Sequence, residues 1–255
     1  MKQYSYRGVA QIILFNWHQY VVGVVACALA IWMLGRVSLQ PLIRIVGEIG
    51  VGLAAFWLAA SLIASHYVYD RSGLETWDWV RPLFPTTPVR WVNIHCGFDE
   101  TTVPLRRVFP NTESTVLDIF DECEMTEASI RRARRHDCGA PAPMRARFNA
   151  LPSRTGEMLA VFVIFAAHEI RKVEARRAFF RELNRVLAPG GRLLLVEHLR
   201  DGWNFAAFGP GCWHFLPRRE WIQRAHETGF AVEREFRKTP FVRVWLLRKE
   251  RDTNE

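Results

Sequence analysis

The chain has 255 residues, 49% of them hydrophobic and 24% charged, and its formal net charge is +8. This composition is too apolar for a disordered chain, and the length suits one or two domains. The charge is unevenly distributed along the chain. Residues 1–68 hold four basic residues and one acidic residue, a net charge of +3, and the remaining residues carry a net charge of about +5. Five cysteines without a C-x-x-C pair argue against a disulfide framework and against structural zinc.

The basic residues after residue 68 are mixed with acidic ones, so the charge does not indicate a nucleic-acid-binding stripe. The densest basic run, residues 131–135, is interpreted as the solvated face of a helix. A positive surface close to anionic lipid is a second use for the charge.

Two long uncharged stretches, residues 8–35 and 49–69, open the chain. Each exceeds the roughly 20 residues that a helix needs to cross the hydrocarbon core of a bilayer. A cleaved signal peptide is the alternative, but its apolar region is shorter and single. We therefore predict a transmembrane helical hairpin over residues 1–68, with spans at about 12–34 and 46–68 and a short turn containing Arg36 and Pro41.

The rest of the chain alternates short apolar segments with charged helical ones, which predicts an α/β fold with a doubly wound, mainly parallel sheet. Helices are predicted over residues 125–136, 173–187 and 217–228. The last two strands alternate well enough to form an antiparallel pair. Sheets of this kind bind ligands at the carboxyl ends of their strands. The seven predicted strands are residues 90–95, 114–120, 145–149, 159–165, 192–197, 230–236 and 241–247.

Three segments resemble class I S-adenosylmethionine-dependent methyltransferases of the type 11-like group. The stretch FFRELNRVLAPGGRLLLVE, ending at Glu197, is similar to the family's fifth strand and the segment before it. VLDIFD, ending at Asp121, resembles the second strand, and NALP, ending at Pro152, resembles the adenine-side loop. The resemblance covers roughly residues 69–248. It implies S-adenosyl-L-methionine as the cofactor, a linker or cofactor lid at 69–90, and a Rossmann-like methyltransferase domain at 91–255.

The resemblance also implies where the cofactor binds. An acidic residue after the second strand would hold the ribose, with Asp121 preferred and Asp118 second, because a carboxylate can accept both hydroxyls. Ala150 and Leu151 would flank the adenine. The first loop departs from the family in having a single glycine, so the methionine end would be held in an unusual manner. The other candidate cofactor-binding residues are Tyr69, His95, Gly97, Asp99, Thr101, Phe165 and Ala166.

Catalytic candidates follow the fourth and fifth strands. His168 and Glu169 come directly after an apolar strand, and His168 could act as a general base or orient the acceptor. His198 ends the fifth strand. His214 closes the aromatic segment 203–215, which is predicted to form an apolar lid or substrate wall. We predict no metal ligand, since no cluster with metal-binding spacing is visible in the sequence.

The sequence thus predicts a membrane-anchored methyltransferase acting on a lipid-like acceptor. A quinone or other isoprenoid ring comes first, because the fifth-strand segment is similar to that of quinone C-methyltransferases, and a phospholipid amine comes second. The expected partners are the bilayer and a small lipophilic substrate, without nucleic acid, and the oligomeric state stays open. The predicted location is the inner, cytoplasmic membrane with the catalytic domain in the cytosol. A non-catalytic membrane scaffold built on a degenerate methyltransferase domain is the alternative, favoured by the glycine-poor first loop.

Overall fold

In the computed structural model, which describes residues 6–136 and 142–250, the first two elements are long apolar helices. Helix α1 is Arg7–Arg36, and helix α2 is Pro41–Ser65. Pro41 occupies the first turn of α2, where its missing N–H costs nothing. Both helices are long and apolar enough to cross a bilayer, and they present most of their apolar side chains to the outside. Cys138, one of the five cysteines, lies outside the described residues.

The two helices pack closely at two glycines. A side chain at Gly23 would meet Leu58, and one at Gly47 would meet Leu34, each within 3 Å. Gly50 faces open space, so not every small residue of α2 serves helix packing. The hairpin is therefore held by short-range contacts of the kind that small residues allow in membranes.

Both ends of the hairpin meet at the soluble domain. A π-helical turn, His66–Arg71, continues α2 and carries Asp70. The Asp70 carboxylate accepts hydrogen bonds from the Gly8 and Val9 amides at 2.7 and 3.1 Å, so it caps the start of α1. The start of α1 and the end of α2 consequently lie on the same side of the hairpin.

The soluble domain is a seven-stranded mixed sheet in the order β3-β2-β1-β4-β5-β7-β6. Strands β1 to β5 run parallel, and β7 runs antiparallel to both of its neighbours. The predicted α/β architecture is thus confirmed, with antiparallel pairing at one edge. The strands are β1 Arg90–His95, β2 Glu113–Asp118, β3 Met144–Arg145, β4 Met158–Ile164, β5 Leu187–His198, β6 Phe230–Thr239 and β7 Val242–Lys249.

The connecting helices are α3 Thr102–Val108, α4 Ala128–Ala133, α5 Val173–Val186, α6 Gly202–Phe208 and α7 Arg218–Glu227. Three of them, α4, α5 and α7, lie near their predicted places, and α3 and α6 were not predicted. Helix α4 is shorter than the predicted 125–136, because the Met125 amide bonds to the Asp121 carbonyl in a turn. Strand β5 starts before the predicted 192, because Leu187 already pairs with β4 and a register shift takes up the next residues.

Each face of the sheet has its own apolar layer. On one face α5 and α7 contribute Phe179, Phe180 and Trp221. On the other face the segment after the hairpin contributes Trp77 and Phe84, which pack with residues of β1 and β4. The segment predicted as a linker at 69–90 is therefore packed against the sheet, and it fixes the hairpin relative to the strands.

Candidate active site

A cavity of about 920 Å³ lies between the helical hairpin and the carboxyl edge of the sheet. Its walls combine residues of α1 and α2 with the loops after β1, β4 and β5. Of the residues predicted from the sequence, the cavity wall includes Tyr69, His95, Thr101, Phe165, Ala166, His168, Glu169, His198 and His214. Gly97, Asp99, Asp118, Asp121, Ala150 and Leu151 lie outside that wall.

The polar end of the cavity is a cluster centred on His168. His168 Nδ1 lies 2.7 Å from Glu197 Oε2, and Nε2 lies 3.3 Å from Glu169 Oε1. The Glu197 carboxylate also accepts hydrogen bonds from the Ala167 and His168 amides. All three charged side chains are buried. Burial alone would lower the pKa of His168, but the Glu197 and Glu169 carboxylates raise it to about 10. His168 is therefore an imidazolium at neutral pH, a poor general base.

Glu169 and His214 complete the cluster. His214 Nε2 lies 3.9 Å from Glu169 Oε1, and its Nδ1 lies 3.3 Å from Glu127 Oε1. Burial and the neighbouring cations His168 and Arg171 lower the pKa of His214 to about 4. Burial would raise the pKa of Glu169, but His168 outweighs this effect and lowers it. At neutral pH the cluster thus presents a carboxylate and a neutral imidazole to the cavity.

His198 and Tyr69 form a second pair on the cavity wall. The Phe241 carbonyl can only accept, so His198 Nδ1, 2.9 Å away, carries a proton. Its Nε2 then accepts from the Tyr69 hydroxyl at 3.0 Å. Burial lowers the pKa of His198 to about 4, and burial also raises the pKa of Tyr69. The ring stacks on Phe165 at 4.9 Å and on Phe215 at 5.0 Å, so the pair is a neutral, rigid wall.

The first loop is built around His95 and Asp99. The Gly97 amide donates to His95 Nδ1 at 2.9 Å, and His95 Nε2 is buried without a hydrogen-bond partner among the described residues. Burial lowers the pKa of His95, so its ring is neutral. Asp99 accepts from the Thr101 and Thr102 amides at the start of α3. Asp99 therefore shapes the loop, while His95 and Thr101 reach the cavity.

The two predicted ribose acids have different surroundings. Asp118 ends β2, is buried, and pairs with Arg134 Nη1 at 2.9 Å. Burial would raise the pKa of Asp118, but Arg134 and the Phe120 amide hold it below its usual value. Asp121 instead accepts the Cys123 amide in the turn before α4. Asp118 thus lies at the strand end and Asp121 in the turn that follows, and the ribose-binding role of either carboxylate stays a prediction.

Arg134 crosses the floor of the first loop. A side chain at Gly97, whose φ is +121°, would overlap the Arg134 guanidinium. The same guanidinium donates to the Cys96 carbonyl at 3.0 Å and lies over the Phe120 ring at 4.2 Å. The interpretation of residues 131–135 as a solvated face is therefore wrong for Arg134. A run of arginines gives no indication of which one turns inward.

The predicted adenine residues have other contacts. Leu151 packs in the core beneath α5, and its amide donates to Glu182 Oε2 at 2.8 Å. Ala150 is exposed. Ala166 is buried beside Cys96, whose Sγ donates to the Ala166 carbonyl.

The aromatic segment 203–215 folds back over the cavity as α6 and the 3-10 helix Gly209–His214. The Phe205 ring contacts the Trp57 ring of α2 at 5.5 Å between centroids. Trp203 and Trp213 of this segment are exposed. The segment carries His214 into the cluster, and it joins the hairpin to the site.

Sequence reasoning placed Glu197 at the end of the fifth strand but gave it no role in the site. It is an acidic side chain inside the apolar strand β5, is fully buried, and anchors His168. A lone carboxylate in an otherwise apolar run is the signal that could have indicated it, because buried charges are paired.

Residues 92–195 match the family described as a methyltransferase domain. No protein of curated function matches the sequence. Among solved structures, an S-adenosylmethionine-dependent methyltransferase from Aquifex aeolicus is 16% identical with a TM-score of 0.54, covering 71% of this chain and 94% of its own. The pyocyanin biosynthetic protein PhzM is 15% identical with a TM-score of 0.52, covering 78% of this chain and 64% of its own.

The [4+2]-cyclase SpnF has a similar fold, with 13% identity, a TM-score of 0.50, and coverage of 72% of this chain and 82% of its own. Structural similarity at such low sequence identity shows only the fold. SpnF illustrates this, because it has the same fold and is named for a cyclisation reaction. The methyltransferase-domain match supplies the enzyme class. The predicted enzyme, a methyltransferase that uses S-adenosylmethionine, is confirmed.

Proposed function

We propose that this methyltransferase is anchored in a membrane by α1 and α2 and methylates a lipid-like acceptor. The observation that carries the proposal is the shared cavity, whose wall runs from the hairpin residues Ala54, Trp57 and Leu58 to the polar cluster at His168 and Glu169. Since a lipid lies alongside the hairpin, it can enter such a cavity without crossing water. Its reacting head then meets the polar end.

The polarity of the cavity supports a ring with an apolar tail as the acceptor. On the hairpin side, the apolar and aromatic side chains Ile12, Phe15, Trp57 and Leu58 lie beside polar side chains of the same helices, and the strand end carries His168, Glu169 and His214. The polar side chains on the hairpin side are Gln11, Asn16, Gln19, Ser61 and Ser65. The Glu169 carboxylate can accept a hydrogen bond from a ring hydroxyl or from an amine. We rank a quinone or other isoprenoid ring first and a phospholipid amine second.

The residues at the first loop fit the cofactor. His95 Nε2 offers a buried polar atom without a partner, and Asp118 offers a carboxylate at the strand end. S-adenosylmethionine supplies the methyl group as a sulfonium, so transfer needs no covalent intermediate on the protein. The chain's own task is to align donor and acceptor and to exclude water. His198 and Tyr69 contribute a fixed, uncharged wall to that alignment.

The anchor is expected to sit in the inner membrane with the domain in the cytosol, where the cofactor is made. Asp70 ties the start of α1 to the end of α2, so the hairpin leaves both of its ends beside the domain. A C-terminal reporter enzyme that is active only in the cytosol should be active. Activity of a reporter that requires the outer side would contradict the orientation.

The scaffold alternative is not favoured, because the domain match extends across β1 to β5. The decisive experiment incubates membranes containing the protein with methyl-labelled S-adenosylmethionine and identifies the labelled lipid by mass spectrometry. We expect label in the isoprenoid quinone fraction. Label confined to phospholipid would select the second acceptor. Label found only in protein or water-soluble products would reject a lipid acceptor.

A further inference from the structure

We infer that His168, Glu169 and His214 form a binding site for one divalent transition-metal ion, with zinc as the expected occupant. The three side chains come from the turn after β4 and from the 3-10 helix after α6, so their sequence spacing does not reveal the site. Two imidazoles and one carboxylate are a donor set that zinc binds in proteins, with a fourth position open.

The distances fit a tetrahedral centre. Ligand bonds of about 2.0–2.1 Å place neighbouring donor atoms roughly 3.4 Å apart in a tetrahedron. His168 Nε2 lies 3.3 Å from Glu169 Oε1, and His214 Nε2 lies 3.9 Å from the same oxygen. One donor atom from each residue lies within 4.8 Å of the other two. A cation could therefore be accommodated if the histidine donor atoms approached each other by up to roughly 1.4 Å, from at most 4.8 Å to the tetrahedral separation.

One buried carboxylate oxygen of the cluster, Glu169 Oε2, is evidence for a bound cation. Glu169 is 7% exposed, and its Oε2 has no hydrogen-bond partner among the described residues. An unpaired buried carboxylate oxygen is costly, because it loses its hydration without compensation. A cation bound by the Glu169 carboxylate would remove this cost.

A carboxylate orients His168. His168 Nδ1 faces Glu197 Oε2 at 2.7 Å, which leaves Nε2 directed at the cluster. Metal-binding histidines characteristically donate their second N–H to a carboxylate in this manner, so Glu197 is the positioning residue for His168. His214 Nδ1 instead faces the Arg171 guanidinium, which can only donate, so zinc binding at His214 Nε2 would require Arg171 to move away from that nitrogen.

All three proposed ligands line the cavity that we propose for the acceptor, so a zinc ion held by them would lie beside the acceptor. A hydroxyl bound to zinc has a lowered pKa. The metal site thus favours a phenol or hydroquinone oxygen as the methylated atom, and this consequence, unlike the site itself, rests on the proposed function.

The test is metal binding by the purified full-length protein in detergent, without lipid or cofactor. After removal of metals with a chelator, zinc chloride is titrated in a calorimeter and cobalt chloride is followed by visible absorption. We expect one equivalent per chain and the intense absorption of tetrahedral cobalt. Glu169→Gln and His214→Asn should each weaken zinc binding at least about tenfold. Loss of a residue that only hydrogen-bonds to a metal ligand already lowers the metal affinity by about that factor.

His226→Asn is the matched control, because His226 is an exposed histidine of α7 outside the cavity wall. This variant should bind zinc unchanged. Calorimetric binding of S-adenosylhomocysteine verifies that each variant is folded. Absence of saturable zinc binding, or equal affinity in the wild type and both ligand variants, would overturn the site. Lipid methylation is measured in a separate assay, so the zinc-binding result can be interpreted even if the protein methylates no lipid.

Discussion

At the scale of single residues, the carboxylate after β2 is the most direct test of cofactor binding. Asp118→Asn should weaken binding of S-adenosylhomocysteine roughly 10- to 100-fold, because a hydrogen bond to a charged group contributes about 1.5–3 kcal/mol. Asp121→Asn is the matched control, and we expect it to change the Kd little, since Asp121 supports a turn. Isothermal titration of the wild type and the two variants with S-adenosylhomocysteine measures the three Kd values. A larger loss in the Asp121 variant would restore the preference drawn from the sequence.

The burial of the neutral His198 beside Tyr69 predicts that the stability of the folded protein depends on pH. The pKa of His198 falls from its ordinary 6.5 to about 4 in the fold, because the ring is buried. The unfolded chain therefore binds the proton more tightly, and the stability due to neutral His198 is complete above about pH 6.5 and lost as the pH falls toward 4. The loss is at most about 3 kcal/mol, from about 1.4 kcal/mol per pKa unit.

His198→Gln is the appropriate variant, since glutamine does not titrate and can keep one donor and one acceptor. Thermal unfolding of both proteins in detergent between pH 4.5 and 7.5 measures the effect. The Tm of the wild type relative to the variant should decrease as the pH falls. A constant difference across this range would show that His198 does not titrate as its burial requires.

At the scale of elements, the junction between the hairpin and the domain depends on a glycine. A Cβ at Gly8 would lie 2.4 Å from the Cβ of Tyr69. Gly8→Ala should therefore destabilise the protein by about 1–3 kcal/mol, as overpacking does, and lower the Tm by roughly 2–4 °C for each kcal/mol. Gly50→Ala is the control, because Gly50 faces open space and alanine is the better helix former. Equal Tm values for the two variants would contradict the close contact.

The elements themselves were predictable where one local pattern decides. Apolar or alternating runs placed six of the seven strands, since such runs are typical of buried or half-buried strands. The third strand was predicted at 145–149 but consists of the exposed residues Met144–Arg145, which have no such pattern. The start of β5 was missed because Leu187 joins the sheet through pairing with Met158, a contact distant in sequence. The extent of α4 was missed because Asp121 draws Met125 into a turn.

The site was predictable in part for the same reason. His168, His198 and His95 follow or end strands, and the carboxyl ends of parallel strands converge on one edge. The roles of Arg132 and Arg134 were hidden, because five neighbouring residues carry four arginines and only the fold shows that Arg132 donates to the Phe15 carbonyl and Arg134 pairs with Asp118. The approach of His214 to Glu169 was equally hidden, since it requires segment 203–215 to fold back over the sheet.

At the scale of the whole molecule, the cavity joins the two parts of the chain. The hairpin supplies one wall, and the domain supplies the polar end. The proposed function therefore assigns cofactor binding and acceptor entry to different regions, the first loop and the gap beside α2. A change on α2 can alter one without altering the other.

Ala54 lines the cavity on α2, and Ala55 is an exposed neighbour outside its wall. Because successive helix residues point about 100° apart, only a large side chain at position 54 would fill the opening. Ala54→Trp should raise the KM for the lipid acceptor roughly 5- to 100-fold, as overfilling costs about 1–3 kcal/mol. Ala55→Trp should leave that KM unchanged, and both variants should bind S-adenosylhomocysteine like the wild type. Initial rates in nanodiscs at several acceptor contents measure this comparison. An equal KM in both variants would mean that the acceptor does not enter beside α2.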